Sequence, residues 1–118
     1  MDSIAGLALL KAFTKFDLNI NNATMMVFLT VARRGECIQR NLEEELGLSN
    51  ASASRNVSYW TDDIQRSTGK PGPGLIERKE NPTDRRYKIL RLTPKGREFY
   101  EEIRRIQNVS TKRFEMAS

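Results

Sequence analysis

Histidine is missing from this 118-residue sequence, and cysteine appears once. The first absence removes the commonest general base and metal ligand; the second removes any internal disulfide framework. No carboxylate cluster at metal-ligand spacing compensates, so the chain is expected not to be an enzyme and to need no metal or cofactor. Long apolar runs are absent as well, which argues against a membrane-spanning helix. The N-terminus opens on Asp2, where a signal peptide would be basic. A lone cysteine without an export signal makes a cytoplasmic setting the expectation. Acidic residues are the scarcer charge: Lys and Arg number 20 against 15 Asp and Glu, a formal net charge of +5 with a sequence pI near 9.7. An anionic partner is favoured over a cationic one. The length suits one domain with a modest core.

The most informative absence is local. No acidic residue lies between Ser49 and Thr61, inside the run IQRNLEEELGLSNASASRNVSYW at 38–60. This run reads as two short helices around a tight turn. Leu42, Leu46 and Leu48 mark the apolar side of the first, with Glu43, Glu44 and Glu45 facing water, and Gly47 supplies the positive φ that ends it. Ser49 or Asn50 then caps the second helix through its side-chain oxygen. Ala53, Val57 and Trp60 recur at helical spacing and pin one face to a core. The other face offers Asn50, Ala51, Ser52, Ser54, Arg55 and Ser58. Short hydroxyl side chains with one guanidinium suit close approach to an anionic groove, where Ser, Asn and Arg can bond phosphates and base edges. This is the signature of a recognition helix in a helix-turn-helix.

Beyond Trp60, the spacing to Ile64 predicts that the helix continues to about Arg66. STGKPGPG, 67–74, breaks regular structure and reads as a surface loop that offers Lys70 to a DNA backbone. Its Gly69, Lys70, Pro71 order is not a phosphate-binding loop, which needs Gly-Lys-Ser/Thr at a helix start. Leu75 to Lys79 and Tyr87 to Leu92 are strand candidates, with Glu36 to Ile38 as a short third strand. Asn81, Pro82 and Asp84 form the turn between the first two. The resulting hairpin is tipped by Arg85 and Arg86, a wing whose guanidinium groups can enter a minor groove. Asp84, repelled by phosphate, is expected to hold an arginine in place.

The remaining segments are helical. One capped by Asp2 or Ser3 runs to about Phe16; it is apolar around most of its circumference and must be covered on more than one side. In a chain this short that points to a second subunit, with a central core helix as the alternative. Asn22 or Thr24 opens another helix, with Met25, Phe28, Leu29 and Ala32 at helical spacing, closed by Arg33, Arg34 and Gly35. Thr93 and Pro94 start the last helix as N-cap and first helical residue. Its stripe of Phe99, Ile103 and Ile106, extended by Val109 and Phe114, has no obvious core left to join and also suits subunit pairing. Cys37 is expected to be a small buried hydrophobe.

LEEELGLSNASASRNV at 42–57, LIERKENPTDRRYKILRLTPKG at 75–96 and the order of the elements together resemble the MarR family of winged helix-turn-helix regulators. The resemblance implies a homodimer, paired through its N- and C-terminal helices, on palindromic double-stranded DNA, regulating transcription with no small-molecule effector identified. By position Ser49, Asn50, Ser52, Ser54, Arg55 and Ser58 become the major-groove face. Asp84 and Arg86 take the wing's Asp and Arg positions, Arg86 being the minor-groove probe with Arg85 beside it. The connection from Asp62 to Gly74 is longer than is usual in that family, and Cys37 is not where its thiol-sensing members carry theirs. The expected organisation is one winged-helix domain over 1–118, mainly α with a small β-hairpin (α+β). Segments 1–16 and 94–118 are its dimerisation helices, 38–60 the helix-turn-helix and 75–93 the wing. The alternative is a winged helix used in phage or plasmid replication or as a protein-interaction adaptor, because a fold does not fix its use.

Overall fold

Among its described residues the chain forms five helices and a three-stranded antiparallel sheet, in the order α1 (Ser3–Phe13), α2 (Asn22–Arg34), β1 (Glu36–Ile38), α3 (Gln39–Leu46), α4 (Asn50–Trp60), β2 (Ile76–Glu80), β3 (Lys88–Leu92) and α5 (Pro94–Ala117). This computed structural model describes the backbone of residues 3–117 and the side chains of residues 6–108. Asp2, one of the two expected caps of α1, and the side chains of Ser3, Val109 and Phe114 lie outside the described residues.

Helix α1 stops at Phe13, short of the expected Phe16. The amides of Thr14 and Phe16 bond back only three residues, to Lys11 and Phe13, tightening the chain into a turn. That turn swings the Phe16 ring edge-on to Trp60 and Phe99, with centroids 5.2 and 4.9 Å away. Apolar contact outweighs one more helical turn. Around this point Phe13, Phe28, Trp60 and Phe99 form the centre of the core, and Phe13, Phe28 and Trp60 are completely buried. Phe99 and Ile103, expected to serve a partner subunit, instead belong to this core. The stripe on α5 is present as its spacing predicts, but these two residues of it face inward.

Asn21, one residue before the expected start, caps α2 by accepting the Thr24 amide hydrogen at 2.9 Å. Gly35, at φ 82°, closes that helix. Arg33 and Arg34 both donate to Glu45, so this exposed carboxylate ties α2 to α3 rather than simply meeting water. Their hydrogen bonds, Arg33's first, hold its pKa below the ordinary value. Cys37 is buried on β1, and burial raises its thiol pKa, so it stays a neutral hydrophobe.

The sheet runs β1-β3-β2, with Cys37 opposite Leu90 on one side and Arg78 opposite Leu90 on the other. Each wing strand begins one residue later than expected. The largest departure lies between α4 and β2. Helix α4 ends at Trp60 instead of Arg66 because the Trp60 carbonyl, which a further turn would use, accepts the Leu75 amide at 2.7 Å. Residues 61–74 double back as a small hydrogen-bonded excursion. Ile64 and Pro71 form a bridge, and Gly72 and Gly74 donate to the carbonyls of Asp63 and Thr61. Ile64, whose spacing from Trp60 predicts a longer helix, is left 66% exposed. Gly72 is confined: a Cβ there would sit 2.3 Å from the Thr61 carbonyl oxygen.

Candidate nucleic-acid interface

The helix-turn-helix is set by two local devices. Gly47 adopts a left-handed φ of 66° and donates to the Glu43 carbonyl, which turns the chain out of α3. Ser49 then accepts the Ser52 amide hydrogen at 3.1 Å and starts α4. Ser49→Ala is expected to destabilise the fold by about 1 kcal/mol, read as a lower midpoint in urea with an unchanged slope. An unaltered midpoint would mean that this hydrogen bond contributes nothing.

Helix α4 is seated on α2 from below. The Trp60 indole Nε1–H donates to the Thr24 carbonyl at 2.7 Å, and the Thr24 hydroxyl donates to Asn56 Oδ1. Opposite that seat, Asn50, Ala51 and Arg55 are exposed and Ser52, Ser54 and Ser58 are half-buried. Arg55 has no ion-pair partner among the described residues. Asn50 is turned toward α3, where its carbonyl accepts from Gln39. Ser58 faces the wing, its hydroxyl accepting from Arg78 at 2.8 Å.

The wing tip is built around Asp84. Its Oδ1 accepts from both the amide and Nε of Arg86, at 3.1 and 3.0 Å, while Oδ2 accepts from Nη2 at 3.0 Å. The Arg86 side chain, then its amide, hold the Asp84 pKa below the ordinary value. Arg86 nonetheless projects, with 80% of its side chain exposed, and Arg85 is looser still, 3.8 Å from Glu80.

Between α3, the start of α4 and the wing lies an open cleft of about 460 Å³. Arg40, Arg78, Arg86 and Lys88 line it against a single carboxylate, Glu43. Sequence reasoning brought Asn50 and Arg86 here but missed Arg40, Arg78 and Lys88. Arg40 is masked by the acidic run that follows it, and Arg78 and Lys88 read as ordinary strand charges. Arg78 and Lys88 reach one face only through the pairing of Arg78 with Leu90 and of Glu80 with Lys88, which neither strand's sequence reports. Among the described residues no group of His, Cys, Asp and Glu could hold a metal ion, and no helix is long and apolar enough to cross a membrane.

No protein-family model and no curated protein matches the sequence. Solved structures do. A crystal structure of RV1404 from Mycobacterium tuberculosis superposes with a TM-score of 0.73 over 97% of this chain and 71% of that one, at 20% identity. The fold is the MarR-type winged helix. A cysteine-to-serine mutant of MarR from E. coli, crystallised with operator DNA, matches 86% of this chain and 67% of its own at TM-score 0.61 and 17% identity. A SlyA-like transcription regulator from Listeria monocytogenes matches 92% and 64% at TM-score 0.61 and 20% identity. In this MarR-type fold α3 and α4 are the helix-turn-helix, and β2 and β3 are the wing.

Proposed function

We propose that this protein is a dimeric, sequence-specific regulator of transcription that acts in the cytoplasm on palindromic duplex DNA, with α4 in the major groove and Arg86 in the adjoining minor groove. The observation that supports this most is the shared cleft: an acid-free helix start and an arginine-tipped hairpin flank one concave surface lined by four cations. Ser52, Ser54 and Arg55 would read base edges and phosphates from α4, and Ser49 would act through its cap. Asp84 engages two of the five N–H donors on the Arg86 side chain. The others are left for a groove floor. The E. coli MarR mutant crystallised with operator DNA gives the fold a precedent for this use. For the dimer the support is α1, which leaves Leu7 and Leu10 57% and 49% exposed.

Selection of bound duplexes from a random pool tests the proposal. Two half-sites about one helical turn apart are expected among the winners; weak binding that vanishes at moderate salt would instead mark an adaptor. Arg86→Ala is expected to weaken binding to the selected duplex by about 1–3 kcal/mol while leaving the unfolding midpoint in place. Unchanged affinity in a titration by fluorescence anisotropy would remove the wing from the interface.

A further inference from the structure

The excursion between α4 and β2 reaches back to the recognition helix. Arg78, on β2, donates from Nη1 to Asp63 Oδ2 and from Nη2 to Ser58 Oγ, each at 2.8 Å, and Nη2 also lies 3.5 Å from the Ser54 carbonyl. One guanidinium therefore joins three elements: the wing strand that carries it, the helix it donates to, and the excursion whose carboxylate orients it. A planar fork can do this where a lysine ammonium, a point charge, cannot. Asp63 is itself held by its backbone. Its amide donates to Thr61 Oγ1 at 3.2 Å, and its carbonyl accepts from Gly72 N and Gln65 Nε2 at 2.9 and 2.8 Å. Burial raises the Asp63 pKa, but hydrogen bonds from Arg78 and then Thr61 outweigh it, so the carboxyl stays below its ordinary value and charged. Arg78 also lines the cleft, with 27% of its side chain exposed.

We propose that Arg78, oriented by Asp63, is a positioning residue that sets the angle between recognition helix and wing, and with it the DNA sequences the protein discriminates. This rests on the DNA-binding reading above. A helix free to rock on its seat still meets phosphates, whose attraction acts over several ångströms and is indifferent to sequence. Base-edge hydrogen bonds fail under far smaller displacements. Losing the clamp removes discrimination before it removes affinity.

The test begins with duplexes selected by the wild-type chain. Affinity is then measured for the selected duplex and for a scrambled one of the same composition, at several salt concentrations. Asp63→Asn keeps the side chain's shape and removes its charge. It is expected to cut the ratio of the two affinities about tenfold, with scrambled binding held or strengthened and the salt slope unchanged. Asp63→Glu, which restores a carboxylate, is expected to recover most of the ratio. Full discrimination by Asp63→Asn overturns the positioning role. An equal loss on both duplexes with a lowered unfolding midpoint overturns it too, because that is plain destabilisation. A wild-type chain that selects no sequence sinks the DNA-binding reading and this inference together, and that result appears before any variant is made.

Discussion

Trp60→Ala is expected to destabilise the fold by about 3–5 kcal/mol, enough to leave much of the chain unfolded at physiological temperature. The side chain is completely buried, at the largest volume of any residue so placed. Its ring meets Phe13, Phe16, Phe28 and Tyr59 with centroids 6.0, 5.2, 5.3 and 5.0 Å away. Truncation removes all four contacts and leaves a cavity among rings drawn from α1, the turn after it, α2 and α4. The indole hydrogen bond to the Thr24 carbonyl is lost in the same step, adding about 1 kcal/mol. A domain of this size has about 5–15 kcal/mol to lose in all. Urea denaturation followed by circular dichroism measures the loss, and Trp60→Phe separates its parts, since a phenyl ring keeps most of the apolar contact but not the hydrogen bond. A loss below about 1 kcal/mol in Trp60→Ala would mean that the aromatic cluster is not what seats α4.

That residue also marks where the sequence stops being legible. Ala53, Val57 and Trp60 could be placed on one buried face because their spacing is local. Gly35, Gly47, Ser49 and the Thr93–Pro94 start were readable for the same reason, since caps and left-handed glycines act within one turn. The end of α4 was not. Ile64 continues the helical spacing, and nothing near it reports that the Trp60 carbonyl will be taken by Leu75 from beyond two prolines and three glycines. The assignment of Phe99 to a partner failed likewise. Periodicity shows that a stripe exists, whereas its contact with Phe13, at a centroid distance of 5.3 Å, joins opposite ends of the chain.

At the candidate interface the same division holds. The acid-free stretch of α4 and the paired Asp84 and Arg86 are contiguous and stand out by composition. Arg40, Arg78 and Lys88 come from three separate elements and share a surface only because β2 and β3 bring the wing alongside α3 and α4. Arg78 was the hardest to see. In sequence it is one charge among Glu77, Lys79 and Glu80, and its partner Asp63 lies in a segment that reads as a continuation of the preceding helix.

Replacing Leu7 and Leu10 together by Asp is expected to give a folded monomer whose affinity for a palindromic duplex falls at least about a hundredfold. Helix α1 has two apolar sides. Leu9 and Phe13 are directed into the core, whereas Leu7 and Leu10, three residues apart, remain largely in water. In a two-fold interface each leucine is repeated by the second copy, and because each is about half exposed, covering both pairs contributes about 3–6 kcal/mol. Association costs about 4–15 kcal/mol in lost translational and rotational freedom, so the margin is set by such residues. Four carboxylates gathered near one axis reverse its sign. Because both positions are exposed in the protomer, the substitution spares the internal core, and an unchanged helical signal by circular dichroism checks that. A monomer still binds one half-site, so affinity for an isolated half-site is expected to stay within about twofold while the gain from the second half-site disappears. Sedimentation velocity decides the matter. A double variant that still sediments as a dimer places the interface elsewhere, and α1 would then need another reason to keep two leucines in water.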